Sequence, residues 1–234
     1  MAADLALTSR PARVRAAVRS WGMTPRRVVL LALAVAVPPL VLAAVGLSHP
    51  TDLDADSAVY WRDLHIGILP VFPLLGFAPW IVVRGHSRWL SWTAGILGFV
   101  YAAFYTSLDV LAGIGAGGLE HAGMHGSTGV VFGLGDSLGL VGSVAFVAAC
   151  VVAGVFVIRM RGLVALPGAL LVAAGSLLFL YRHIFFPVGV AGQLCLAAGW
   201  VLLVVLVYGA RYGSSASRAA ASVTGNAQTK SRQR

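Results

Sequence analysis

Charge is what this sequence has least of. Only 11% of its 234 residues are charged, where a soluble domain carries about a quarter. A water-soluble fold with so little charge would expose apolar patches too large to stay in solution, so lipid is the expected solvent. Acids are scarcer still, at eight against seventeen basic residues. The resulting net charge of +9 does not indicate nucleic acid as a partner. The basic residues lie in tails and short connectors between apolar runs, where a membrane protein carries them. Cysteine is nearly absent. Cys150 and Cys195 both lie inside apolar runs, at depths differing by roughly 10 Å at about 1.5 Å of helical rise per residue. That is too far for a disulfide, so both read as small buried hydrophobes. The chain also lacks a P-loop, HExxH, GxSxG and CxxC, which removes the familiar signatures of nucleotide, zinc-protease, serine-hydrolase and dithiol chemistry. No histidine falls deep inside an apolar run, which speaks against a haem held between helices. No enzymatic activity is read from the chain.

What the sequence has is hydrophobic length. Of its residues 59% are hydrophobic, and the mean hydropathy is +0.87. About 20 apolar residues cross a bilayer core as a helix, and six segments qualify, near 28–47, 64–83, 89–114, 137–158, 163–181 and 188–208. The fold expected is all-α, a polytopic membrane bundle of about six transmembrane helices with both termini cytoplasmic. Pro38–Pro39 interrupt the first run. Pro70, Pro73 and Pro79 mark the second as the irregular one, since proline removes backbone hydrogen bonds and bends a helix.

The arginines supply the orientation. Those before the first run, Arg84 and Arg88, Arg159 and Arg161, and the basic residues after the last run all fall on one side, leaving only Arg62 and Arg182 on the other. Basic flanks are retained in the cytoplasm during insertion, so the chain is expected in the cell membrane with its acid-rich loops outside. Trp80, Trp89, Trp92 and Tyr208 at inner boundaries, and Tyr60, Trp61 and Tyr181 at outer ones, suit interfacial rings. Residues 1–27 form a basic cytoplasmic segment. Within it "RPARVRAAVRSW" carries Val14, Ala17, Val18 and Trp21 at helical spacing, the pattern of an interfacial helix drawn to anionic lipid headgroups. A disordered basic leader fits the same residues. Residues 28–208 make the six-helix domain, and 209–234 a disordered cytoplasmic tail.

Chemistry collects on the outer side. Asp52, Asp54, Asp56, Asp63, Glu120 and Asp136 lie there, as do five of six histidines, His49, His65, His121, His125 and His183. In "LEHAGMHG", His121 and His125 share a face if the segment is helical, and Met124 could add a soft ligand, a set suited to copper or zinc. Two histidines fall short of four ligands, so His49, His65 or His183 would have to complete such a site. Glycines 117, 118, 123, 126 and 129 oppose a helix there, and the favoured reading of 115–136 is a long flexible loop.

A second cluster lies within the spans. Tyr101, Tyr105 and Asp109 recur every four residues along one stripe. A buried aspartate costs roughly 2.5–3.5 kcal/mol at a helix centre and so seeks a partner. Arg182 is the expected partner, with Gln193 alongside, and the pairing reads first as a staple between helices and second as a proton or ion relay. Gly113 and Gly117 should let a neighbouring helix approach closely. Taken together, the expectation is a multi-pass membrane protein whose polar His/Asp-rich outer face has a structural or partner-binding role. The alternative is a small transporter or metal-handling protein using the outer histidines and Asp109.

Overall fold

The computed structural model describes residues 23–209. The interfacial helix expected over 10–21 lies outside them, as does the expected tail beyond Gly209. The described residues are helical, with no strand among them. In chain order they form α1 (Pro25–Gly46), α2 (Ala58–Ile68), α3 (Phe72–Leu75), α4 (Phe77–Val83) and α5 (Arg88–Leu108). A π-helical segment (Asp109–Gly115) leads into α6 (Ala116–His121) and α7 (His125–Arg161). A 3-10 turn (Gly162–Ala165) precedes α8 (Leu166–Arg182) and α9 (Val188–Val204), and a π-helical end closes at Gly209.

Four helical stretches are long and apolar enough to cross a membrane: Pro25–Gly46, Arg88–His121, His125–Arg182 and Val188–Gly209. A fifth is the pair Ala58–Ile68 and Phe72–Val83, bent by 43°. Helix is the form such segments must take, because hydrocarbon offers backbone N–H and C=O groups no partner outside the segment itself. The expected irregular run is this bent pair, which breaks where Pro70 and Pro73 fall. Pro38 and Pro39 do not break α1, which stays helical and buries both rings.

The long loop expected over 115–136 is replaced by helix. Only residues 122–124 separate α6 from α7. Gly126, Gly129 and Gly133 face open space, so each weakens the helix by about 1 kcal/mol. The first turns of α7 nevertheless rest on α6 and on the π-helical segment. Tertiary packing, which supplies most helical stability in proteins, outweighs the propensity there.

Small residues let the helices meet. Along α8 and α9, Gly168 faces Gly199 and Gly175 faces Gly192, with a Cβ on Gly199 or Gly175 falling 2.9 or 2.7 Å from the opposite carbonyl oxygen. Both pairs share one antiparallel register, which is how membrane helices gain contact without a hydrophobic drive between them. Gly98 of α5 meets Gly76, at the break between α3 and α4, in the same way. α7 turns back into α8 at Gly162, whose φ of 76° is left-handed, and Gly154 then faces Ala169. Inside, Trp200, Tyr101, Phe72, Phe146 and Phe179 are fully buried. Outside, Phe99, Leu170 and Val130 are among many large apolar side chains left exposed, a surface suited to lipid.

Polarity is sorted by end. The C-terminal ends of α1 and α8 meet the start of α2 and the end of α5 at one pole, which holds every described acid and the histidines other than His86. The opposite pole carries Arg26, Arg27, Arg84, Arg88, Arg159 and Arg161.

Gly98→Leu should lower the thermal unfolding midpoint of detergent-purified protein by several degrees, because its Cβ would sit 2.3 Å from the Gly76 carbonyl oxygen, an overpacking that costs about 1–3 kcal/mol. Gly118→Ala, which meets nothing within 4 Å, should leave the midpoint in place. Equal midpoints for the two variants would contradict the close α3–α5 approach.

Candidate functional site

Three histidines far apart in sequence meet at the acid-rich pole. His49 follows the end of α1, where Gly46 packs against the Ile184 carbonyl so tightly that a Cβ would fall 2.3 Å from its oxygen. His65 lies on α2, one turn beyond Trp61. His183 immediately follows α8 and takes a left-handed φ of 49°, unusual for a residue with a side chain and of a kind that gathers at functional sites. Each ring offers a nitrogen, and the three nitrogens lie within 4.8 Å of one another. The His65 and His183 rings are parallel, 5° apart in plane, with centroids 6.4 Å apart.

Hydrogen bonds settle where two of these rings carry their protons. His49 Nδ1 is 2.6 Å from the Pro50 carbonyl oxygen, and His65 Nδ1 is 2.7 Å from that of Trp61. A carbonyl only accepts, so both rings are protonated at Nδ1 and, when neutral, carry a bare lone pair at Nε2. Those two Nε2 atoms stand 3.4 Å apart. A hydrogen bond between them requires one ring to become imidazolium. Burial opposes that and pushes His49 below the usual histidine range. His183 is pushed further down, by burial and then by the neighbouring His49 and His65.

Asp109 stands behind the triad. It opens the π-helical segment, is fully buried, and has no hydrogen-bond partner for either carboxylate oxygen. Its Oδ1 is 3.9 Å from His65 Nε2. A buried carboxylate without partners is costly unless a proton or a cation compensates it. The π-helical segment shapes this wall. π-Helical segments recur at functional sites, and in this one the Ala112 carbonyl accepts from the Trp61 indole at 3.1 Å, tying α2 across the end of α5. Gly113 then passes so close to α2 that a Cβ would lie 2.3 Å from the His65 ring. The Tyr105 hydroxyl contacts His183 Nδ1. Trp61 and Phe185 pack edge-on against His49, at 4.8 and 4.7 Å between centroids. The site is thus three imidazoles and one carboxylate in an aromatic shell. A cleft of about 420 Å³, lined by Tyr105, Ser143 and His183 among others, opens beside it, with Asp136 and Arg182 also on its walls.

Of the six residues considered as metal ligands, the structure brings His49, His65 and His183 together and leaves the other three apart. His121 ends α6, His125 opens α7, and Met124 lies in the break between them, all exposed. His125 Nδ1 is instead 2.7 Å from Glu120. The expected Asp109–Arg182 pair is absent among the described residues. Arg182 is exposed, with its guanidinium 4.8 Å from the Tyr181 ring centroid, while Asp109 faces His65. Tyr101 and Tyr105 do share the buried face of Asp109. Gln193 is fully buried on α9 with its amide unpartnered. Sequence reasoning missed Trp61 and Gly113 as parts of the site. The i, i+4 spacings Trp61–His65 and Asp109–Gly113 were the available signal. Cys150 and Cys195 are both free.

Compared with known proteins, the chain matches no family model, no curated protein and no solved structure.

Two outcomes follow from this geometry. Because folding lowers the affinity of His49 and His183 for protons, their contribution to stability is complete above the ordinary histidine value of 6.5 and is lost as pH falls below it. The unfolding midpoint of chelator-treated protein should therefore drop between pH 7.5 and 5, and His49→Gln should flatten that dependence; a pH-independent midpoint would contradict the buried neutral rings.

Proposed function

We propose that the chain is a six-span membrane protein that holds a divalent transition metal, zinc or copper(II), at the extracytoplasmic end of its bundle. His49, His65 and His183 are the ligands, and Asp109 completes the set. Six spans follow if the bent pair counts as one crossing and the stretch His125–Arg182 as two, since it doubles back at Gly162. The cytoplasmic termini follow from the arginine-rich pole.

One observation carries the metal reading, the facing Nε2 lone pairs of His49 and His65. Two nitrogens bound at about 2.05 Å to a tetrahedral ion stand about 3.3 Å apart, and these stand 3.4 Å apart. Their Nδ1 hydrogen bonds to backbone carbonyls are the outer-shell arrangement that metal-ligating histidines almost always have. The third nitrogen, within 4.8 Å, and the Asp109 oxygen, 3.9 Å from His65 Nε2, close on the same point with small movements. A divalent ion would also neutralise the uncompensated carboxylate. The donor set is imidazole and carboxylate, without thiolate or thioether, and so favours zinc or copper(II) over copper(I). With Met124 elsewhere, soft copper chemistry has no support.

Metal content and titration of the full chain in detergent test this reading. About one zinc or copper(II) per chain is expected, lost in His65→Ala and in His183→Ala, and retained in the double variant His121→Ala, His125→Ala. Asp109→Asn should weaken binding by removing the set's one anionic donor, while preserving helicity. Gly113→Ala should weaken it too, by displacing the His65 ring without removing a ligand. Absence of binding, or loss confined to the His121 and His125 variant, would refute the proposed centre.

A further inference from the structure

The arginine-rich pole holds a groove that the metal reading does not use. It runs along α5 where α3 and α4 cross it, as a cleft of about 580 Å³ lined by Trp80, Arg88, Ser91, Trp92, Gly95, Ile96 and Phe99. A second cleft of about 210 Å³ shares Trp80, Gly95 and Phe99 and carries the channel on past Gly98 to Ala102. Its floor exists because glycine stands where side chains would fill it. From Arg88 to Ala102, α5 rises about 21 Å at roughly 1.5 Å per residue. That exceeds the ~15 Å depth of one leaflet's hydrocarbon. Trp92 and Phe99 wall it while themselves 61% and 73% exposed, so the groove opens sideways to lipid.

Only its end is charged. Arg88 lines the mouth, and the Arg84 guanidinium lies 5.1 Å from the centroid of the Trp80 ring that forms one wall. Every acid among the described residues sits at the opposite pole, so no described carboxylate offsets these two cations. We propose that this groove is a binding site for an anionic phospholipid, one acyl chain lying over Gly95 and the headgroup phosphate meeting Arg84 and Arg88. The apolar channel selects for a chain, the paired cations for negative charge, and the two tryptophans for the depth at which glycerol and headgroup meet. This site is separate from the metal centre and stands whether or not that centre holds an ion.

Native mass spectrometry of the full chain released from detergent, with phosphatidylglycerol and phosphatidylcholine of identical chains, tests it. Phosphatidylglycerol should be retained in preference to phosphatidylcholine. Gly95→Leu should abolish the retained lipid. Its Cβ meets only Trp80, at an ordinary 3.5 Å, so the side chain fills the groove without forcing helices apart. Arg88→Gln, which removes a charge at the mouth while keeping most of the side chain, should weaken phosphatidylglycerol binding roughly fivefold and leave phosphatidylcholine unchanged. Equal retention of the two lipids would overturn the proposal. So would an undiminished phosphatidylglycerol preference in Gly95→Leu, since the anionic lipid would then be held by the basic N-terminal segment.

Discussion

Two imidazole lone pairs pointed at each other inside a buried pocket repel, and the architecture of this protein's acid-rich pole is arranged around that contact. Neither ring can turn away. Each has its Nδ1 proton committed to a carbonyl, Pro50 for His49 and Trp61 for His65, and rotating either would leave a buried donor unmade at a cost of about 1–3 kcal/mol. Trp61 and Phe185 pack edge-on against His49, and both imidazoles of the pair are buried. A positive charge between the nitrogens relieves the repulsion, and the buried Asp109 carboxylate beside them favours the same charge. Lone pairs and carboxylate therefore favour the same cation, which is the physical basis of the proposed metal centre.

Glycine is what makes that convergence possible. Gly46 lets the end of α1 close on Ile184, which brings His49 to His183. Gly113 lets the His65 ring lie against the segment that carries Asp109. Further from the site, the glycine faces of α8 and α9 lock the register of α8, the helix that ends just before His183, against α9. In lipid, where helices gain little from burying apolar surface against each other, such close backbone contact is the main source of packing energy. Substitutions at these glycines would therefore move the histidines without touching them.

The helices were legible in the sequence because hydrocarbon leaves few alternatives. A run of twenty apolar residues has to be helical, and proline-rich residues 64–83 were expected to be irregular. The region 115–136 was misjudged for an equally physical reason. Its glycines lower helix propensity, but propensity is a local quantity, and packing on α6 and the π-helical segment overrides it. At the site, His49, His65 and His183 could be named as candidates by the common side on which the arginine pattern is expected to place them, but nothing in the spacing of residues 49, 65 and 183 shows that they touch. Asp109 was drawn toward Arg182 by a matching of depths, whereas direction around the helix decides its neighbour. The π-helical segment, which brings Gly113 against the His65 ring, leaves no mark in hydrophobic periodicity.

α5 joins the two poles. It begins at Arg88, where the groove for an acyl chain opens, and its last turn delivers Tyr105 to His183 before the chain reaches Asp109. Its glycine and aromatic positions change character on the way. Gly95 leaves space on the lipid side, Gly98 closes against Gly76, and Tyr101 and Tyr105 turn fully inward. One helix thus lines the groove at one end and faces the histidine cluster at the other. The switch occurs at Gly98, where α3 crosses and fixes its rotation. The contact of Gly76 with Gly98 therefore sets both the face that α5 turns to the groove and the face that carries Tyr101 and Tyr105 inward.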